Sequence, residues 1–245
     1  MTIDASDELD HFAGPSSAWS ETWEFRAAAP DLDLGVAVAV VRRPAEGQMS
    51  YRAAVLGRSR PVVVIVEHEL VAPRIGLEIR GSGLWADHVC ESPHEHWSFT
   101  LESFALAIDQ PTDLVDKGRG LPVPLGFDLG WETDRAPVGC ATPHDHGYLA
   151  AGTVHGEVLI ADETLPLDGH GVRIHRWGVG PALPEWWSLA DTVGVGEPPW
   201  AHAFEEATRV SVHDPVGQIA ELALGAAVEG GGVTGPAWRS IVVDE

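Results

Sequence analysis

An all-β fold is the class this sequence predicts, and three observations carry the prediction. Apolar residues recur with period two along most of the chain, 27 glycines and 18 prolines punctuate the runs, and only one segment has helical composition. Period two is the spacing of a half-buried strand, because successive side chains leave an extended backbone on opposite sides. With 245 residues the chain is long enough for one large barrel or two small ones.

The first clear strand is Val36 to Val40, in which Val36, Val38 and Val40 alternate with Ala37 and Ala39. The run PVVVIVEHE (61–69) is rich in β-branched residues, which favour extended backbone. In LWADHVCESPHEHWSF (84–99), Trp85 and Asp87 share one face, Ala86 and His88 the other. Apolar parity changes within HWSFTLESFALAID (96–109), from Trp97, Phe99 and Leu101 to Phe104, Leu106 and Ile108. A β-bulge at Glu102-Ser103 would keep both halves facing one interior, and the start of a helical turn is the alternative. Phe127, Leu129 and Trp131 alternate in GFDLGWE.

The stretch DGHGVRIHRWG (168–178) reads as a turn from Asp168 to Gly171 feeding a strand. Arg173, His175 and Trp177 then lie on one face of that strand, Val172 and Ile174 on the other. That polar face looks either into a lumen or out to water. Gly178 to Pro199 reads as a long loop holding one short strand, and 214–230 as a helix with Ile219, Leu222 and Ala226 on one side. The polar, Pro- and Gly-rich stretch 110–124 is the natural linker, giving an N-terminal domain over 1–112, a linker over 113–121 and a C-terminal domain over 122–245.

Lys and Arg number 15 against 37 Asp and Glu, a formal charge of −22. Such a surplus opposes binding to nucleic-acid phosphates or an anionic membrane surface. The opening residues lack a basic-then-apolar leader and no apolar run reaches membrane-spanning length, so no membrane insertion and a cytoplasmic location are expected. Cys90 and Cys140 are expected to be reduced interior thiols, with a disulfide between them left open.

Twelve histidines include the pairs His94/His96 and His144/His146. Each HxH pair on a strand offers two metal ligands from one face, and Glu102 stands close to the first pair, but the third ligand a zinc or iron site needs has no clean match. No metal and no cofactor are therefore expected. Nucleophile elbows and phosphate-binding glycine loops are absent from the sequence.

Taken in order, GLWADHVCESPHEHWSFTLESFALAID, PLGFDLGWE, VHGEVLIADETLPLDGHGVRIHRWG and the following WW resemble the AttH-like, carotenoid 1,2-hydratase-like family, which is related to Diels–Alderase-type cyclases. The likeness runs from about Trp23 to Trp187. It implies two lipocalin-like antiparallel β-barrels side by side, the C-terminal one shortened here, with a pocket for hydrophobic polyene or terpenoid molecules. The His-x-Trp pair of the hydratase site corresponds to His175 and Trp177, whereas that site's further Tyr and Asp have no match after Trp187.

The expected function is thus a cofactor-independent cyclase, isomerase or hydratase acting on a hydrophobic substrate. His175, Asp87 and Arg173 are the catalytic candidates. Trp177, Trp97, Trp85, His88, His96 and Trp131 are the candidates for lining the pocket, the tryptophans being able to stabilise positive charge. The alternative is a non-catalytic carrier of a steroid, terpenoid or lipid. The partner expected is a small hydrophobic molecule, and a homodimer is left open.

Overall fold

A computed structural model of the chain describes residues 3–108, 120–141, 145–179, 186–189, 192–196, 204–213, 219–229 and 232–243. The fold is all-β, built from an 11-stranded and a 5-stranded antiparallel sheet. No helix among the described residues is long and apolar enough to cross a membrane.

The larger sheet holds β1 (Ser20–Ala28), β2 (Gly35–Arg43), β3 (Gln48–Leu56), β4 (Val62–Val71), β5 (Leu77–Gly81), β6 (Leu84–Ser92), β7 (His96–Ile108), β8 (Leu121–Thr133), β9 (Val138–Ala141), β10 (Asp145–Ile160) and β11 (Glu163–Gly178). Its order runs β4-β3-β2-β1-β11-β10-β8-β7, and β7 pairs back onto β4, so these strands close a ring. The end of β7 (106–108) meets β4, while its first part pairs with the β5–β6 hairpin.

Alternation decides what each strand buries. Val36, Val38 and Val40 point into the ring with Trp23, Phe25, Tyr51, Phe99, Phe127 and Trp131. The intervening small residues face outward, where Ala28, Ala37, Ala54, Val62 and Val64 pack against Leu222, Leu224, Ala226 and Trp238. Those partners belong to the second sheet, made of β12 (Trp186–Leu189), β13 (Thr192–Val195), β14 (Phe204–His213), β15 (Ile219–Glu229) and β16 (Gly232–Val243). Alanine on the outer face lets the two sheets approach, and at Gly35 an added Cβ would already lie 2.8 Å from Leu224.

Several sequence expectations change. The boundary placed at 113–121 does not part the sheets, because β7 and β8 on either side of it are paired neighbours from His96/Glu132 to Ala107/Leu121. The division between sheets falls after Gly178 instead. The same unbroken ladder excludes a bulge at Glu102-Ser103. Parity is kept: Trp97, Phe99, Leu101 and Ala105 stay inside, while Ile108 packs toward the second sheet and Phe104 is exposed.

No turn occurs at 168–171, for β11 runs through it. The helix expected over 214–230 is strand over Ile219–Glu229, where both neighbours β14 and β16 supply backbone partners and Leu222, Leu224 and Ala226 fall into period two. Among the described residues of 178–199 there are two short strands, β12 and β13, where one was expected. Cys90 and Cys140 are free thiols, packed against different clusters.

The glycines of 168–171 serve close approach within the sheet. A Cβ on Gly171 would sit 2.0 Å from the Arg26 carbonyl oxygen and 2.9 Å from the Trp131 ring. Gly171→Ala is expected to destabilise the protein by about 1–3 kcal/mol through overpacking, read as a lowered urea midpoint.

Candidate functional site

Strand register assembles a polar group at one mouth of the ring. Arg173, His175 and Trp177 alternate on the inward face of β11, with Phe25, Trp23 and Glu21 of β1 opposite them on one side. Ala150, Tyr148 and His146 of β10 stand opposite on the other. Arg173 and His175 are fully buried, so the face that sequence left undecided looks into the protein.

Over this mouth lies a segment outside the ladders, from Asp4 to Phe12, containing a 3-10 turn at Ala5–Glu8. It sends Glu8 inward until only 1% of that residue is exposed, while Leu9 stays 54% exposed and Phe12 stands free in solvent. Arg173 Nη1 donates to Glu8 Oε2 at 2.6 Å and Nη2 to Oε1 at 2.8 Å, a bidentate pair. Trp97 Nε1 donates to Oε2 at 2.7 Å, and His94 Nδ1 lies 3.1 Å from Oε1. The Tyr148 hydroxyl accepts from Arg173 Nη1 at 2.8 Å. Burial alone would raise the Glu8 carboxyl. The charge of Arg173 and the hydrogen bonds from Arg173, Trp97 and Tyr148 outweigh burial and hold it below the ordinary glutamate value.

A second polar group adjoins the first. Glu21 Oε1 accepts from the His11 backbone N–H at 2.9 Å, with His11 Nδ1 at 2.9 Å and His175 Nε2 at 3.1 Å. His175 Nδ1 is 2.8 Å from the Asp7 carbonyl oxygen. Both ring nitrogens of His175 therefore face oxygen acceptors: a neutral ring satisfies one, and one added proton satisfies both. Burial pushes His175 below its ordinary value, against the opposing pull of Glu21. A proton held here is easily given up. His11 also stacks on Trp177 with centroids 3.7 Å apart, and Trp23 stacks on His175 at 4.7 Å. The ligand atoms of His11, Glu21 and His175 lie within 4.8 Å of one another, so this trio is where a divalent ion could be held.

Deeper in the ring the lining is aromatic and aliphatic. A cavity of about 20 Å³ touches Phe25, Phe99, Phe127, Leu129, Trp131 and Val154, room for one water. A larger one, about 60 Å³, lies between the sheets beside Arg26, Arg52 and Leu222. Within the ring the Tyr51 hydroxyl and both nitrogens of His88 are buried without hydrogen-bond partners, their rings stacked 5.7 Å apart. Burial pushes His88 down to about 3, with the Asp87 backbone offsetting only part of it.

Of the residues singled out in the sequence, Arg173, His175 and Trp97 meet at the mouth, and Trp177 stands at its rim. Trp131 and His88 line the ring interior. Asp87, Trp85 and His96 do not join them: they alternate with the buried Ala86, His88 and Trp97, and so occupy the outer face. Asp87 has the acidic Glu78 and Glu91 as neighbours there, and burial and their charge raise its carboxyl. The His94/His96 pair does not share a strand face, since His94 sits in the tight turn before β7 with φ 62°. His144 lies outside the described residues. Sequence reasoning missed Glu8, His11, Glu21 and Tyr148. Glu21 had a readable signal, sharing strand parity with Trp23 and Phe25; Glu8 had none.

Residues 4–192 match the family described as Domain of unknown function (DUF7064), so the chain belongs to that family. The matched span takes in the covering segment and the closed ring and ends at β13. The AttH-like likeness remains a resemblance of motifs. No curated protein matches the chain. Among solved structures, the crystal structure of CghA with Sch210972 is similar over 85% of this chain and 53% of its own, at 12% identity and a TM-score of 0.37. This chain thus spans about half the length of that protein.

Proposed function

We propose that this DUF7064 chain is a cofactor-independent isomerase, cyclase or hydratase for a hydrophobic polyene or terpenoid-type molecule, with His175 as the acid. One observation carries the reading: a histidine whose two nitrogens both face acceptors is buried against tryptophan at the mouth of an apolar ring. The proton shared by His175 and Glu21 would pass to the substrate, leaving positive charge on carbon. The faces of Trp23 and Trp177 can stabilise such charge by cation–π attraction. Arg173 would orient a polar group of the substrate, and withdrawal of the 4–12 segment would give access.

His175→Gln, which keeps a hydrogen-bonding side chain but cannot carry the proton, is expected to lower turnover about 10²–10⁴-fold with ligand binding retained. Substrates for the assay come from mass spectrometry of molecules that co-purify with the protein. Unchanged turnover in the variant would remove His175 as the acid.

A second reading, a carrier, is favoured by a different fact. Both terminal nitrogens of Arg173 are engaged, by Glu8 and Tyr148, and its guanidinium lies over the Trp97 ring, an arrangement suited to closing the mouth. Binding of the co-purified molecule with no product from the wild type would decide for the carrier.

A further inference from the structure

We infer that the Arg173 cluster is a binding seat for the carboxylate of an apolar monocarboxylic acid, and that Glu8 is its resident occupant. The inference rests on the mouth being a small-molecule site and narrows the substrate class of that site.

The donor set fits one carboxylate. The two terminal nitrogens of Arg173 meet the two oxygens of Glu8 in fork-to-fork geometry, and Trp97 Nε1 adds a third bond; His94 Nδ1, in the turn before β7, lies 3.1 Å away without a hydrogen bond. Arg173 and Trp97 sit on strands, and the Tyr148 hydroxyl on β10 accepts from the same Arg173 Nη1 that meets Glu8. The seat is therefore held by the ring, whereas its occupant comes from outside the ladders on a segment anchored separately, by Asp7 on His175, His11 on Glu21 and Trp177, and Asp10 on Arg42 and Gly76. Glu8 arrives on a four-residue 3-10 turn that has no strand partner.

The burial of that segment is inverted. It places a carboxylate inside and leaves Leu9 and Phe12 in water, the reverse of ordinary preference. Polar and ring-stacking contacts, not burial of Leu9 and Phe12, hold the segment, and the one carboxylate it buries deeply is the one on Arg173 and Trp97. A free acid offers the same head group, and its apolar body can take the Trp177 face that His11 of the same segment now covers. The chain's net charge of −22 opposes anions at long range, but salt screens that field within about 8 Å. The local donors then set the preference.

The test is calorimetric titration of dodecanoate and of dodecan-1-ol into the full-length wild type, Glu8→Ala, Glu8→Gln and Arg173→Met. Dodecanoate is expected to bind Glu8→Ala at least tenfold more tightly than wild type, and at least tenfold more tightly than the alcohol. Arg173→Met should lose the preference for acid over alcohol. Equal binding of acid and alcohol by Glu8→Ala would overturn the inference, as would a preference that survives Arg173→Met. If both Glu8 variants are too unstable to titrate, their thermal midpoints are read instead: dodecanoate but not the alcohol should raise them, and no selective rise overturns the seat. The readout is binding alone, so a failure of His175 to catalyse leaves it untouched, and an occupied seat without turnover counts only against the enzymatic reading.

Discussion

Glu8→Ala is expected to lower the unfolding free energy by about 3–5 kcal/mol, the cost of leaving a buried charge without its partner. Arg173 lies on β11, paired with β1 on one side and β10 on the other, and cannot carry its guanidinium into water. Its remaining partners are the Tyr148 hydroxyl and the faces of Trp97 and Tyr148 at 5.1 and 5.5 Å, none of which bears a negative charge. Arg173→Met should cost less, about 1–3 kcal/mol, because Glu8 sits on a short turn outside the ladders and can swing toward solvent, as a strand residue cannot. The double variant is then expected to be more stable than the sum of the two losses implies, with a coupling of about 2 kcal/mol. Urea denaturation of the four proteins measures the cycle. Strict additivity would show that the pair is not coupled through a buried ion pair.

His88→Phe is expected to act in the opposite direction. Tyr51, Phe25, Phe99 and Phe127 surround this ring at centroid distances of 5.4 to 6.5 Å, and neither nitrogen has a hydrogen-bond partner. An aromatic ring without polar atoms removes that desolvation cost, a gain of about 1–3 kcal/mol near neutral pH.

The variant should also change the acid limb of the stability profile. Native His88 takes up a proton only at about 3, whereas in the unfolded chain histidine does so near 6.5. Between those values the unfolded state binds more protons, so stability falls as pH falls, by up to about 1.4 kcal/mol per pH unit from this residue. His88→Phe deletes that contribution. Urea midpoints at pH 4 and pH 7 should therefore lie closer together in the variant than in the wild type, and an unchanged gap would refute the assignment. That an orphaned histidine and an orphaned tyrosine persist in an otherwise apolar ring is the usual mark of a group kept for use and not for stability.

Strand parity grouped the side chains of β11 correctly but did not say which face looks inward. Arg173, His175 and Trp177 alternate with Val172 and Ile174; Arg173 and His175 are buried inside the ring, Trp177 is half-buried at its rim, and Val172 and Ile174 are buried because a second sheet covers the outside. The same rule, applied to Leu84, Ala86, His88 and Cys90, assigns the inner face of β6 and places Asp87 outside, so its exclusion from the site was already contained in the pattern. The helix expected over 214–230 failed because alanine and leucine suit either period, and only partners on both sides decide between them. Glu8 was unreadable for a different reason. Its segment has no periodicity, and the residue it serves is 165 positions away.

That separation bears on how the protein is made. The ring cannot close until β11 exists, since β1 takes its second neighbour from Ser20/Gly178 to Ala28/His170. Contacts this distant in sequence form slowly, because the entropy of a long loop must be lost before the pairing returns anything. During synthesis the β1–β4 meander waits with the β1 edge unpaired, exposed to association with other chains. The acidic surplus, −22 over the whole chain, keeps such intermediates apart by mutual repulsion. Glu8 reaches Arg173 only after that closure, so a residue made 165 positions ahead of its partner finds its place only once β11 has been added.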